Sequence, residues 1–351
     1  HQGWELILTN QFHDIIPGSS IRVVYEQSEL DYKEIFDVGN GIVKSAENSI
    51  ASKLDKKGGY VVFNPHSFAG ESVVVIDGKT SIIPWINSKG YLLTNRFISK
   101  NNIVIDDDYV ETNCFKVKFD KHKQIVSIFD KKNNREVLKN GCVGNEIRIY
   151  AERTDTPYDA WEWAEFSLDK YQTLDTLNSC KVVEDGARKG VRIERRYKAS
   201  KIIQTIWFWD NIPKIDFDTY VDWHQQHIML KAAFPVDINA TKATYEIQFG
   251  TLERPTHKNT SWDRSKFEVC AHKYADLSEG DYGVSLINDC KYGHDIHDGV
   301  MVLSLLRSPT HPNEVADQGE MVCSYSICPH KGQLNDSETV KYAYYLNYPL
   351  Q

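Results

Sequence analysis

No apolar run in this sequence approaches the roughly 20 residues a helix needs to cross a bilayer, so no membrane span and no membrane partner are expected. Cations are in the minority: 41 Lys and Arg against 49 Asp and Glu leave a net charge of -8. Nucleic acid and anionic lipid select for clustered Lys and Arg, so neither is an expected partner. Cysteine is sparse, odd in number at 7, and scattered, with only Cys323 and Cys328 close together. A disulfide-stapled secreted domain is shorter and denser in cysteine. The reading is therefore reduced thiols in the core of a cytoplasmic protein. Internal repeats, low-complexity tracts and the charged n-region of a signal peptide are also missing. The first residue is His1 and a helical pattern begins at once. Domain boundaries fall in linkers rather than inside elements, so a piece of a longer chain is expected.

What is present supports a large core, since 41% of the 351 residues are hydrophobic. Residues 1–56 read as helical. Trp4, Ile7 and Leu8 mark one apolar face of a first helix over residues 1–16. Pro17-Gly18 breaks the pattern, and Ser19 or Ser20 can cap a second helix. That helix carries Ile21, Val24, Tyr25, Tyr32, Ile35, Ile42 and Val43 at roughly helical spacing, with Gly39-Asn40-Gly41 as a place for a kink. Two such helices cannot hide both stripes alone, so a further helix or domain is expected against them, or failing that self-association.

Lys56-Lys57-Gly58-Gly59 reads as the boundary, because the hydrophobic period then changes to that of strands. Tyr60 to Phe63 and Ser72 to Ile76 are β-branched or aromatic runs. Cys114 to Phe119 alternates, Asp120 to Lys123 turns, and Ile125 to Phe129 returns, which is a hairpin signal. Further strands are expected at Val191 to Tyr197, Ile202 to Trp209, Val300 to Leu306 and Tyr342 to Tyr345. Residues 60–351 thus predict a large antiparallel β-sandwich of more than one sheet pair.

Four segments carry a resemblance. The first is Asn10-Gln11-Phe12-His13-Asp14-Ile15-Ile16-Pro17-Gly18-Ser19-Ser20. Ile247-Gln248-Phe249-Gly250 then leads into Glu253-Arg254-Pro255-Thr256-His257-Lys258-Asn259-Thr260-Ser261-Trp262-Asp263. Phe267 to Ser278 and Leu286 to Gly293 follow. In that order they resemble the α-mannosidases of glycoside hydrolase family 38, in the cytosolic and vacuolar branch that is also common in bacteria. The resemblance covers nearly the whole chain. It implies the end of a three-helix middle bundle over residues 1–56. A C-terminal β super-sandwich similar to galactose mutarotase would follow over 60–351, stopping short of the family's usual end.

The implied chemistry is retaining hydrolysis of terminal α-mannosides of oligosaccharides. It needs one carboxyl as nucleophile and another as acid/base. Both would lie in a catalytic domain upstream of His1, so no catalytic residue is expected in this chain, and the chain alone should be inactive. The resemblance makes His13 a ligand to Zn²⁺, with Co²⁺ open to the same imidazole and carboxylate donors. One imidazole cannot make a zinc site, so no bound metal is expected in the chain by itself. Asp14 matches a residue that hydrogen-bonds the bound mannose. Neighbouring positions at a helix end should point apart, which suits separate roles.

Further candidates carry two readings each. Tyr158-Asp159-Ala160-Trp161-Glu162-Trp163 resembles a family loop; Trp161 can stack on a sugar and Asp159 can accept from its hydroxyls, or the loop is structural. Arg254, His257, Asn259, Trp262 and Asp263 form a second polar and aromatic group of the same kind, with Arg254 and His257 as substrate contacts. Cys290, His294 and His297 lack standard metal spacing and read as structural loop residues. His224 and His227, three apart on an expected strand, should face opposite sides. Asn259-Thr260-Ser261 is a glycosylation sequon, relevant only in a secretory compartment. A non-catalytic carbohydrate-binding β-domain and a purely structural, oligomerising module stay in competition with the mannosidase. A homo-oligomer is expected.

Overall fold

The computed structural model describes residues 1–54, 59–152, 156–163 and 165–351. Helices α1 (Gln2–Asn10) and α2 (Arg22–Ala51) form an antiparallel pair. Asn10 pins them together by donating to the Leu6 carbonyl and to Asp31, both at 3.0 Å. Helix α1 is shorter than its apolar pattern suggested. Residues from Gln11 to Gly18 are turns, ending in Gly18 at φ +84°, a left-handed conformation that glycine adopts without strain. Neither Ser19 nor Ser20 caps α2. Its N-cap is Ile21 without a side-chain bond, and the Ser20 amide donates instead to the Tyr25 hydroxyl at 2.9 Å. Gly39 and Gly41 cause no break in the 30-residue helix, whose other residues outweigh their poor propensity.

The expected boundary residues Lys56, Lys57 and Gly58 lie outside the described residues. From Tyr60 onward the described residues are mainly antiparallel sheet. A first unit comprises the pairs Tyr60–Asn64 with Gly90–Thr94, and Gly70–Ile76 with Lys79–Ile86. A five-stranded sheet follows, and the expected hairpin is its Phe115–Phe119 and Ile125–Asp130 pair.

The two large sheets are six-stranded and nine-stranded. Ile228–Pro235 runs through the smaller of them and is buried at all eight positions. The larger contains Arg188–Tyr197, Ser200–Trp209, Ile215–Trp223 and Gly319–Lys331 as successive neighbours. Ile215–Trp223 shows why these residues make a two-faced sheet. Ile215, Phe217, Val221 and Trp223 enter the main core, while Asp216, Asp218 and Asp222 alternate onto the other face. Phe217 stacks on Tyr325 at 5.1 Å and meets Phe234 of the smaller sheet at 5.5 Å, which closes the sandwich. The architecture is thus the expected super-sandwich behind a helical segment.

Tyr342 to Tyr345 is not a strand. It lies in α4 (Thr339–Asn347), preceded in the chain by the four-residue α3 (Ser261–Arg264). Thr339, Tyr342, Ala343 and Leu346 have the i, i+3, i+4, i+7 spacing of one helical face, and three of them pack with Tyr274, Ile287 and Cys328. His224 and His227 also leave the expected strand. They sit in the turn after Trp223, with His227 at φ +55°. All seven cysteines are free, but only Cys114, Cys323 and Cys328 are core thiols; Cys180, Cys270 and Cys290 are exposed.

Candidate functional site

His13 and Asp14 occupy the turn between α1 and α2, which backbone bonds from Ile15 and Ile16 to the Phe12 carbonyl tighten. The Tyr25 hydroxyl donates to the Asp14 carbonyl at 3.1 Å and fixes the turn on α2. His13 is open to solvent at 78% exposure, with Nε2 only 3.6 Å from Asp14 Oδ2. The two side chains therefore lie together rather than apart, because the chain is coiled into a turn here and is no longer helical. Two donors fall short of the three or four zinc needs. No group of three or more His, Cys, Asp or Glu side chains capable of holding a metal occurs among the described residues. The residues present fit a metal only as a ligand offered outward to groups from elsewhere.

The 156–163 loop is built differently. Asp159 is 2% exposed and fully engaged. It accepts from the amides of Thr310 at 2.7 Å and His311 at 2.8 Å and from the Thr310 hydroxyl, and lies 3.3 Å from His227. Burial alone would raise the Asp159 carboxyl, but those amide donors outweigh it and hold it below the usual carboxylate range. Asp159 thus anchors the loop and presents no free oxygen to a sugar. Arg307 completes the anchor, its guanidinium donating to the carbonyls of Asp159, Ala160 and Glu162 and to the Glu152 carboxylate. Trp161 stays half exposed, in an aromatic trio with Tyr158 and His311 at ring separations of 5.8 to 6.4 Å. Beside it is a cavity of about 370 Å³ lined by Trp161, Glu162, Trp163 and Arg307.

In the third group, Arg254 lies at the end of the edge strand Gly250–Pro255, its guanidinium 5.6 Å from the Tyr245 ring centroid. His257 Nδ1 is 3.5 Å from Asp263. Thr260 and Asp263 form a capping box at α3, and the Thr260 hydroxyl holds the Asp263 carboxyl below its usual range. Trp262 is 79% exposed.

Direct contacts run within each group, and other residues join the groups. Arg22 of α2 reaches Glu314 at 3.5 Å, in the loop that Asp159 holds. Trp163 meets Phe267, just past α3, at 5.4 Å. Beneath them Lys231, 1% exposed, pairs with Glu268, and its ammonium lies 4.9 Å from the Trp163 ring centroid. Arg307, Lys231, Glu268 and Glu314 were not singled out from the sequence. The available signal was a lone cation in an apolar strand, as in Val300–Arg307 and Ile228–Pro235, which burial permits only with a partner. Cys290, His294 and His297 form no metal site. His294 sits on the strand Gly293–His297, fully buried, with its Nδ1 3.2 Å from the Tyr292 carbonyl.

Fold and site define an antiparallel β super-sandwich preceded by a helical pair whose connecting turn offers an imidazole and a carboxylate. Residues 110–315 match the glycosyl hydrolases family 38 C-terminal domain, and residues 1–50 match the alpha mannosidase middle domain. The chain belongs to glycosyl hydrolase family 38. Human alpha-mannosidase 2C1 is 32% identical across 99% of this chain and 35% of its own length. The alpha-mannosidase of Saccharomyces cerevisiae is 35% identical across 98% of this chain and 32% of its own length. The chain thus spans about a third of these curated relatives. A crystal structure of an alpha-mannosidase from Enterococcus faecalis V583 superposes with a TM-score of 0.80 at 12% identity, over 99% of this chain and 52% of that one, a likeness of fold.

Proposed function

We propose that the chain is the helical turn and C-terminal β-domain of a cytoplasmic, metal-dependent, retaining α-mannosidase acting on terminal α-mannosides of oligosaccharides. The observation that carries this reading is the exposed His13–Asp14 pair on a turn within the segment matched by the alpha mannosidase middle domain. His13 contributes one neutral imidazole to a Zn²⁺ or Co²⁺ ion, and Asp14 accepts from a mannose hydroxyl. A bound metal of this type orients sugar hydroxyls and disperses charge. The nucleophile and the acid/base come from a catalytic domain preceding this segment, so the chain alone is inactive. Trp161 stacks on an outlying sugar, with Arg254 and His257 as further substrate contacts, while Asp159 serves by fixing the Trp161 loop. The exposed faces of α1 and α2 meet that catalytic domain or a second copy, giving a homo-oligomer.

The test is a chromogenic α-mannoside assay with added Zn²⁺ on the chain alone and on the chain joined to the catalytic domain of a family relative. Turnover is expected only in the joined protein. There, His13→Ala should lose metal, whereas Asp14→Asn should retain it and lower kcat/KM by roughly tenfold to a hundredfold. Metal held equally well by His13→Ala would overturn the role of that residue. A non-catalytic carbohydrate-binding domain competes, favoured by the exposed Tyr158 and Trp161 rings. It would show saccharide binding by the chain and no turnover in any joined form.

A further inference from the structure

Three aromatic rings stand at the surface of the Trp161 loop and share one corner. Tyr158 and Trp161 are 54% and 50% exposed, and His311 is also open to solvent. Their planes are inclined to one another by 55° to 70°, so the rings wall a shallow cup rather than a flat strip. Single exposed aromatic side chains are ordinary, but three grouped together make a candidate binding surface.

The backbone beneath the rings fixes the cup. The His311 amide donates to Asp159 Oδ1 at 2.8 Å, and the His311 carbonyl accepts from the Ala160 amide at 3.2 Å. His311 is thereby strapped alongside residues 159–160. The Trp161 and Glu162 amides donate to the Tyr158 carbonyl at 3.0 and 2.9 Å, which coils the loop and brings Tyr158 beside Trp161. Arg307 ties the carbonyls of Asp159, Ala160 and Glu162 from below. Farther along the same segment, Glu314 reaches Arg22, one turn of helix before the Tyr25 that holds the His13–Asp14 turn. A surface held this way needs little ordering when a ligand arrives.

We infer that Tyr158, Trp161 and His311 form one cup for a hexose unit. The rings stack on the apolar C–H face of the sugar, and His311 donates to a hydroxyl. An imidazole has at least one N–H donor in either protonation state. Among the described residues the His311 ring makes only its two ring contacts, so that donor is free. The inference rests on the saccharide reading of Trp161 and deepens it. His311 becomes a further substrate contact, and the substrate class becomes a mannoside with at least one sugar beyond the reacting mannose. A quaternary ammonium ion also suits aromatic walls, but it has no acceptor for the His311 N–H.

The experiment has two arms. In the first, the full chain is titrated calorimetrically with a linear α-mannotriose, and with tetramethylammonium for comparison. Mannotriose should bind with a dissociation constant on the order of 1 mM, and tetramethylammonium at least tenfold more weakly. His311→Ala and Tyr158→Ala should each weaken mannotriose about tenfold. His311→Phe, which keeps a ring and loses its nitrogens, should recover only part of that loss. These side chains are exposed, so the variants should keep the unfolding temperature of the parent. In the second arm, the chain joined to the catalytic domain of a family relative is assayed on mannotriose and on an aryl α-mannoside. His311→Ala should cut kcat/KM about tenfold more for mannotriose than for the aryl mannoside. Mannotriose binding that His311→Ala leaves intact, no binding at all, or equal binding of tetramethylammonium overturns the inference. Equal losses on the two substrates overturn it as well and spare the hydrolytic reading. The expected binding pattern in a joined protein without turnover does the reverse: it upholds the cup and removes the hydrolysis.

Discussion

Helix α2 runs for 30 residues without one buried side chain, whereas the strand Ile228–Pro235 is buried at every position. Both segments are rich in apolar residues. In the strand each side chain meets another sheet or an adjacent strand of its own. In the helix a stripe through Val24, Asp31 and Ile35 is partly covered, with Asp31 bonded to Asn10 of α1, and Leu30, Phe36 and Ile42 remain 60% or more exposed. An apolar stripe is a demand for a partner, and the two regions differ in whether this chain meets the demand. The sandwich satisfies its own. The helical pair leaves a second face open, which is the physical expectation for a piece of a bundle whose other members come from elsewhere.

The sharpest way to break the comparison is at the one charge inside the strand. Lys231→Met leaves Glu268 in a site where burial already pushes its carboxyl up and Lys231 opposes that shift. Unpairing a buried ion typically costs about 3–5 kcal/mol, and the double variant Lys231→Met/Glu268→Leu should recover most of it. Urea unfolding of the three proteins measures this. A single variant as stable as the parent would mean that the pair is not sealed in the fold.

A somewhat smaller effect is expected from acid. His294 is wholly enclosed, and burial pushes its imidazole down to about 4 from 6.5. The unfolded chain therefore takes up a proton at this residue below pH 6.5 that the folded chain refuses until pH 4. Stability contributed by neutral His294 is present above pH 6.5 and falls as the pH drops, by about 3 kcal/mol at pH 4. His294→Leu should flatten the stability curve by that amount between pH 7 and 4. An acid slope identical to the parent's would show that the ring is charged or hydrated when folded.

The smallest effects belong to the helix. Leu30→Ala and Ile42→Ala should each change stability by less than about 0.5 kcal/mol, as exposed substitutions do. Amide exchange in α2 should also be faster than in Ile215–Trp223, because its backbone bonds open without breaching a core. Losses of 2–5 kcal/mol, typical of large-to-small changes in a core, would instead mean that self-association already covers the stripe.

Much of the sandwich was legible because a half-buried strand writes its burial with period two, as Phe115–Phe119 does. The misread segment, Tyr342 to Tyr345, shows the limit. Four aromatic and aliphatic residues suit a strand as well as a helix, and only packing against Tyr274 and Ile287 decides between them. The Ser19 and Ser20 caps failed because the helix begins one residue later, with Ile21 at the cap position, and Tyr25 fixes the preceding turn through the Ser20 amide. At the candidate site, the family resemblance of the segment from Asn10 to Ser20 pointed to His13 and Asp14, and that of the loop from Tyr158 to Trp163, with its residue types, to Asp159 and Trp161. Residue type could not separate Asp159 from Trp161, because whether a carboxylate faces solvent or the amides of Thr310 and His311 depends on a loop more than a hundred residues away in the chain.

What the sequence by itself determined is therefore local and periodic: an α-helical start, a long antiparallel β-region, the order of family motifs, and the chemistry available at each. These follow from side-chain spacing and residue type, which neighbours along the chain specify. The tertiary structure alone decided what each polar group meets. It placed Lys231 against Glu268, turned Asp159 inward and set His13 beside Asp14. Electrostatic and hydrogen-bond energies depend on distance and burial between residues far apart in sequence, and those are set only when the sheets close.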